Sequence, residues 1–169
     1  TKNFFKNLND DVLRRMHFRG YPKLSMDGWL AYDDSYMLQP YYNKMQTINS
    51  DKETGLESIS KSRLVIVDYI STPHMQSIVS NIPTVFFHNK ETYFLKEEYG
   101  SYYDPLIEAG ICHTNSKSAA KFIEKIVNDP YKWWNSTHTK ELKEKFLKEN
   151  FGEGVALSDY LIKVSKIEN

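Results

Sequence analysis

The stretch RLVIVDYISTPHMQSIVSNIPTVFFHN, residues 63–89, decides the fold. Its opening, RLVIVDY, is a nearly unbroken run of β-formers, the pattern of a parallel strand covered on both faces and not of a half-exposed one. The middle reads as a helix. With Thr72 as N-cap, Pro73 falls at the first helical position, where a missing N–H costs nothing. Met75, Ile78, Val79 and Ile82 then recur at i, i+3, i+4 and i+7 as one apolar face, leaving His74, Gln76 and Ser77 on the open side. Asn81 and Pro83 end the helix, and TVFFH supplies the next buried strand. Strand, helix and strand over about 25 residues make a βαβ crossover.

Upstream, a polar lead-in precedes a strand-like segment, Val12 to Arg19, stopped by Gly20 and Pro22. From Lys23 to Asp51 the chain is rich in Tyr, Asp, Ser and Asn without a sustained period, and reads as a long connection with room for a short helix but no regular element placed in it. GLESISKS reads as a short helix. Downstream, YYDPLIEA reads as a helix with Gly110 just past its end, ICHT as a short strand, and TNSKSAAKFIEKIVNDP as a capped helix with Ala119, Ile123, Ile126 and Val127 on one face. YKWWN is an aromatic plug whose Trp133 and Trp134 seal the bottom of the fold. TKELKEKFLKEN is a charged helix, with Leu142 and Phe146 one turn apart. A helical tail closes the chain over residues 150–169. The fold class is α/β, with helices layered on a mostly parallel sheet. Ligands in such folds bind beyond the carboxyl ends of the strands, which places Arg19, Tyr69 to Thr72 and His88 to Asn89 along one edge.

A length of 169 residues suits one domain. Lys plus Arg and Asp plus Glu number 22 each, so no global field holds a polyanion, and nucleic acid is not expected as a partner. The single cysteine, Cys112, rules out an internal disulfide and fits a reducing compartment, hence a cytoplasmic expectation. No apolar run approaches the roughly 20 residues that cross a bilayer. Peripheral membrane association stays open, but the sequence does not point to it.

A helix start offers unpaired N–H groups and the positive end of the dipole, so phosphate suits the corner at Ser71 and Thr72, and Arg19 could add a bidentate charge. The plainer alternative is a pair of ordinary caps beside a solvated arginine. The chain contains neither G-x-G-x-x-G nor a P-loop motif, and no G-x-S-x-G elbow. His17, His74, His88, His113 and His138 form no H-x-x-x-H pair, so no metal is expected. Cys112 reads as a small core residue, and Asp33 and Asp34 as a solvated turn. WLAYDDSYMLQPYY is a weak candidate for an aromatic loop facing a ligand.

From Ser62 to Trp134, SRLVIVDYISTPHMQSIVSNIPTVFF followed by LIEAGICHTNSKSAAKFIEKIVNDPYKWW resembles the carboxyl-terminal half of a family of transferases from surface-carbohydrate gene clusters, itself similar to the GT-B glycosyltransferases. FRGYP followed by DGW is similar to the Arg-x-Tyr-Pro and Gly-Trp signature that opens the same half, and the likeness covers most of residues 12–147. The resemblance implies a single Rossmann-like nucleotide-sugar-binding domain over residues 1–169, cut from a two-domain protein whose amino-terminal acceptor domain is missing, and inactive alone. It implies that Arg19, Ser71 and Thr72 contact the donor's diphosphate or monophosphate, with Tyr69 and His88 near the base or sugar. The nucleotide-sugar is then a substrate and no cofactor is expected. That family's helix reads Tyr-Asn-Ser-Thr and then, four residues on, a Glu that bonds ribose hydroxyls. Here Ile70 replaces the Asn and Gln76 the Glu, which removes a charge-assisted bond from the ribose site. The expected function is donor-nucleotide binding in a glycosyltransferase of cell-surface polysaccharide synthesis. A non-catalytic α/β interaction domain and a sugar-nucleotide epimerase on the same scaffold are the alternatives.

Overall fold

The computed structural model describes residues 2–20, 38–50, 52–89 and 101–151. Three strands, β3 (Val65–Val67), β4 (Thr84–Phe87) and β5 (Cys112–His113), form a parallel sheet in that order. Val65, Ile66 and Val67 pair with Thr84, Val85 and Phe86, and Phe86 and Phe87 with Cys112 and His113. A second parallel pair joins β1 (His17–Phe18) to β2 (Gln46–Thr47). This is a mixed α/β architecture consistent with a Rossmann-like fold.

Every residue of β4 is buried, as the run of β-formers requires, and alternate side chains feed two cores. Val85 and Phe87 point into the first, with Phe4 and Phe5 of α1 (Lys2–Lys6), Val12 and Leu13 of α2 (Asp10–Arg15), and Ala119 and Ile123 of α6 (Ser116–Ile126). Phe4 stacks on Phe87 with ring centroids 4.8 Å apart. Phe86 points into the second core, beside Ile59 of α3 (Gly55–Lys61), Ile78 of α4 (Thr72–Val79), Leu106 of α5 (Asp104–Glu108), Trp134 of α7 (Pro130–Trp134) and Phe146 of α8 (Thr137–Phe151). Truncating such a ring to alanine costs about 3–5 kcal/mol.

The amino-terminal quarter differs from its sequence reading. The polar lead-in is helix α1, because Phe4 and Phe5 find a core that local polarity hides. Val12 to Arg19 is not one strand. Asn9 caps α2 by accepting the Val12 N–H at 2.9 Å, Asp10 and Asp11 sit at the positive end of its dipole, and Arg14 and Arg15 sit at the negative end. Adjacent Val12 and Leu13 are 3% and 1% exposed, a pairing that suits a helix and that a strand with one wet face cannot make. The long connection holds a short 3-10 helix at Tyr42–Lys44, for which its reading left room, and strand β2, for which it did not. Asp33, Asp34, most of the aromatic loop and the tail beyond Phe151 lie outside the described residues.

The other elements follow the sequence. Thr54 and Glu57 form a capping box at α3. Helices α4 and α5 end alike: the Ile82 N–H reaches Ser77 O and the Asn81 N–H reaches Ile78 O, as the Ile111 N–H reaches Leu106 O and the Gly110 N–H reaches Ile107 O. Asn81 (φ 56°) and Gly110 (φ 73°) supply the left-handed residue that both Schellman turns need. Helix α7 clasps these turns, since Trp134 Nε1 donates to Asn81 Oδ1 at 2.9 Å and Trp133 Nε1 donates to Ala109 O at 3.0 Å. Lys143 on α8 donates to the same Asn81 oxygen at 2.7 Å and lies 4.1 Å from the centre of the Trp134 ring. It is 5% exposed, and burial pushes its pKa down to about 8. The aromatic plug thus seals the amino edge of the sheet, as the sequence suggested.

Gly110 faces two constraints, because a Cβ there would lie 2.7 Å from Phe122 Cζ and the backbone is left-handed. Gly110→Ala should lower unfolding stability by about 2–4 kcal/mol in urea titrations. A variant as stable as the parent would contradict this account of the turn.

Candidate functional site

The carboxyl ends of β3 and β4 carry Asp68 to Ser71 and His88 to Asn89. Helix α4 starts at this edge, but one residue earlier than its sequence suggests: Ser71 is the N-cap, Thr72 is N1 and Pro73 is N2. Ser71 has extended geometry (φ −161°, ψ 169°), and His74 at N3 turns back onto it, accepting the Ser71 N–H at Nδ1 over 3.0 Å. The reciprocal contact, from the His74 N–H to Ser71 Oγ, completes the outline of a capping box. It is too loose to count as a hydrogen bond, so the buried hydroxyl is left without a partner.

The side chains of α4 are distributed differently from the expected apolar face. His74 and Ser77 are buried rather than open, and Val79 is 40% exposed rather than buried. The reason is a rotation of the buried face toward Phe86. The His74 ring stacks on Phe86 with centroids 4.3 Å apart and meets the edge of Tyr103, while Ser77 Oγ satisfies itself on Pro73 O and His74 O at 3.0 Å each. The sequence signal was Ser-x-x-His, a capping-box spacing with imidazole where Glu or Gln is usual.

Accepting through Nδ1 puts the His74 proton on Nε2, which is buried and unpartnered. Burial holds its pKa down to about 4. The helix start is therefore partly spent as an anion site. The Ser71 N–H is committed to His74 and Pro73 has none, so the Thr72 and His74 amides and the Ser71 hydroxyl are the donors left. The corner is nonetheless open to solvent: Thr72 is exposed, Tyr69 is 47% exposed, and Gln76 is half-buried on the same helix.

His88 follows β4, is buried, and its N–H donates to His113 O at 3.0 Å. Arg19 follows β1. Its Nη2 donates to Glu53 O at 3.1 Å, while its buried Nε has no partner. The Glu53 carboxylate is taken up instead by Ser58 at 2.7 Å and Lys61 at 2.9 Å, which hold its pKa below the usual carboxylate value. Arg19 has no ion pair among the described residues, and no hydrogen bond there joins it to Ser71, Thr72 or Gln76. The chain thus groups Tyr69, Ser71, Thr72 and Gln76 around one corner, sets His88 on the neighbouring strand, and leaves Arg19 on the separate strand pair. Cys112 is buried in the second core, and His113 is satisfied by Ser118 Oγ at 3.2 Å and Gly110 O at 3.1 Å. Among the described residues no cluster of His, Cys, Asp and Glu could hold a metal ion, and no helix is long and apolar enough to cross a membrane.

Parallel strands, helices on both sheet faces and a polar carboxyl edge are the features of an α/β enzyme domain, and comparison with known proteins makes its class that of a transferase. Residues 2–155 match the family described as LIC12162 family transferase, and the chain belongs to that family. No curated protein and no solved structure matches the chain.

His74 makes stability depend on acid pH. Its folded pKa lies below the unfolded value of about 6.5, so its neutral-state contribution is complete above that value and lost as pH falls toward 4. His74→Gln keeps an acceptor at N3 and removes the titration. Over that window wild type should lose on the order of 3 kcal/mol more stability than the variant, read from denaturant midpoints at each pH. Parallel profiles would show that His74 does not titrate with unfolding.

Proposed function

We propose that this transferase chain is the donor-nucleotide domain of a glycosyltransferase, binding a nucleotide-sugar at the carboxyl edge of its sheet for cell-surface polysaccharide synthesis. The observation that carries the reading is Arg19: anchored through one donor to Glu53 O, it keeps a buried Nε with no partner. A guanidinium held in place with donors unspent suits a phosphate oxygen. The Ser71 hydroxyl and the Thr72 and His74 amides would take a second phosphate oxygen at the positive end of α4. Tyr69 offers an exposed ring to the base or sugar, Gln76 replaces a carboxylate at the ribose, and His88 closes the neighbouring strand end. In this reading, charge developing on the leaving phosphate is stabilised by Arg19 and the helix start.

The Ser71–His74 contact favours a second reading, a non-catalytic interaction domain in which the corner is only a cap. Two variants separate them. Uridine, guanosine or cytidine nucleotide at roughly 100-fold over its Kd should raise the thermal midpoint by about 5–10 °C, and Arg19→Ala should abolish the shift. Ser71→Ala removes a hydroxyl with no hydrogen bond, so it should cost less than the ~1 kcal/mol of an ordinary cap yet weaken nucleotide binding. If no nucleotide moves the midpoint, or if Arg19→Ala responds like wild type, the donor-site reading fails.

A further inference from the structure

Zero net charge conceals an uneven distribution. Helices α1 and α6 cover the same face of the sheet and together carry five lysines, Lys2, Lys6, Lys117, Lys121 and Lys125, against one acid, Glu124. All five lysines are exposed, and none has an ion pair or hydrogen bond among the described residues. The acids nearby are already engaged. Asp10 pairs with Lys44 at 2.8 Å, Asp11 with Arg15 at 3.6 Å, and Glu124 accepts the Asn9 N–H at 2.8 Å. The Asn9 amide leaves the Glu124 charge in place, so five lysines against one carboxylate leave α1 and α6 with a net charge of +4. On the opposite face, α3, α4, α5, α7 and α8 together carry six acids and six lysines, so the helices there leave no net charge.

We propose that the lysine face of α1 and α6 docks the protein on an anionic lipid surface. Lys117, Lys121 and Lys125 recur at every fourth position, so they form a row about 12 Å long on the exposed side of α6. Lys2 and Lys6 repeat that spacing on the adjoining helix. A row of this kind meets a plane of headgroups without needing any one of them in a fixed orientation, which is how ammonium groups bind phosphates. The rows on α1 and α6 are lysines alone, the arginines of this side lying on α2, and neither helix has an exposed large aromatic for base stacking, so a lipid plane suits the rows better than a nucleic acid. The balanced charges of the far face neither add to the attraction nor cancel it. Helix layers on opposite sides of a sheet lie roughly 20 Å apart, more than twice the Debye length of about 8 Å at physiological salt.

The test uses the 169-residue chain and sedimentation with vesicles. The chain should pellet with phosphatidylcholine vesicles containing phosphatidylserine at low salt, stay in solution with phosphatidylcholine alone, and be released at about 0.5 M salt. Lys117→Gln, Lys121→Gln and Lys125→Gln combined should weaken partitioning on the order of 100-fold, about fivefold for each lysine. A single Lys121→Glu with an unchanged thermal midpoint should weaken it in the same direction. Lys140→Gln with Lys145→Gln on α8 should leave it intact. Equal binding to neutral vesicles, full retention by the triple variant, or tighter binding to duplex DNA than to the anionic vesicles at the same salt would each overturn the proposal. The last outcome would assign the face to nucleic acid.

Discussion

The structure depends on the double burial of β4. A strand with both faces covered must have helices on two sides, and its four residues Thr84 to Phe87 decide which: Val85 and Phe87 recruit α1, α2 and α6, and Phe86 recruits α3, α4, α5, α7 and α8. Parallel pairing on both flanks then forces each connection to cross the sheet end to end, so the chain returns to the amino edge through a helix before every strand. The helices α4 and α5 and their Schellman turns follow from that requirement.

Legibility in the sequence tracked how local each signal was. Strands β3 and β4, the capping box of α3, the Gly110 stop of α5 and the apolar face of α6 were all readable because their determinants lie within one turn or one strand of each other. Helix α1 was not readable, since Phe4 and Phe5 are set among Lys and Asn and gain meaning only from Phe87, far along the chain. The strand assigned to Val12–Arg19 survives only as His17–Phe18, for a related reason: alternation can be counted in almost any mixed segment, and over its first half the Asn9 cap with charges matched to the dipole was the better signal.

Around the start of α4 the sequence brought the expected residues to one corner and misjudged how that corner is packed. Ser71, Thr72 and Tyr69 lie at the start of α4 and Gln76 on its next turn, as strand and helix order require. The burial of His74 could not be foreseen, because it depends on Phe86 rising from the adjacent strand to meet the ring. That contact spends one amide that the corner was expected to offer and fixes a neutral imidazole there. The Arg19 donors were legible only as residue type. Their availability comes from Glu53 turning its carboxylate to Ser58 and Lys61 and only its carbonyl to the guanidinium.

The clasp of α7 on the two Schellman turns divides the labour between the rims of the sheet. One rim is riveted by Trp133, Trp134 and Lys143 to backbone and side-chain oxygens at Ala109 and Asn81, so its residues are answerable to one another. The other rim ends in short segments whose exposed members, Thr72 and Tyr69 among them, support little of the framework. Substitutions at the open rim can therefore change the chemistry it presents to solvent while the riveted one keeps the scaffold in register, so surface and foundation are free to alter separately.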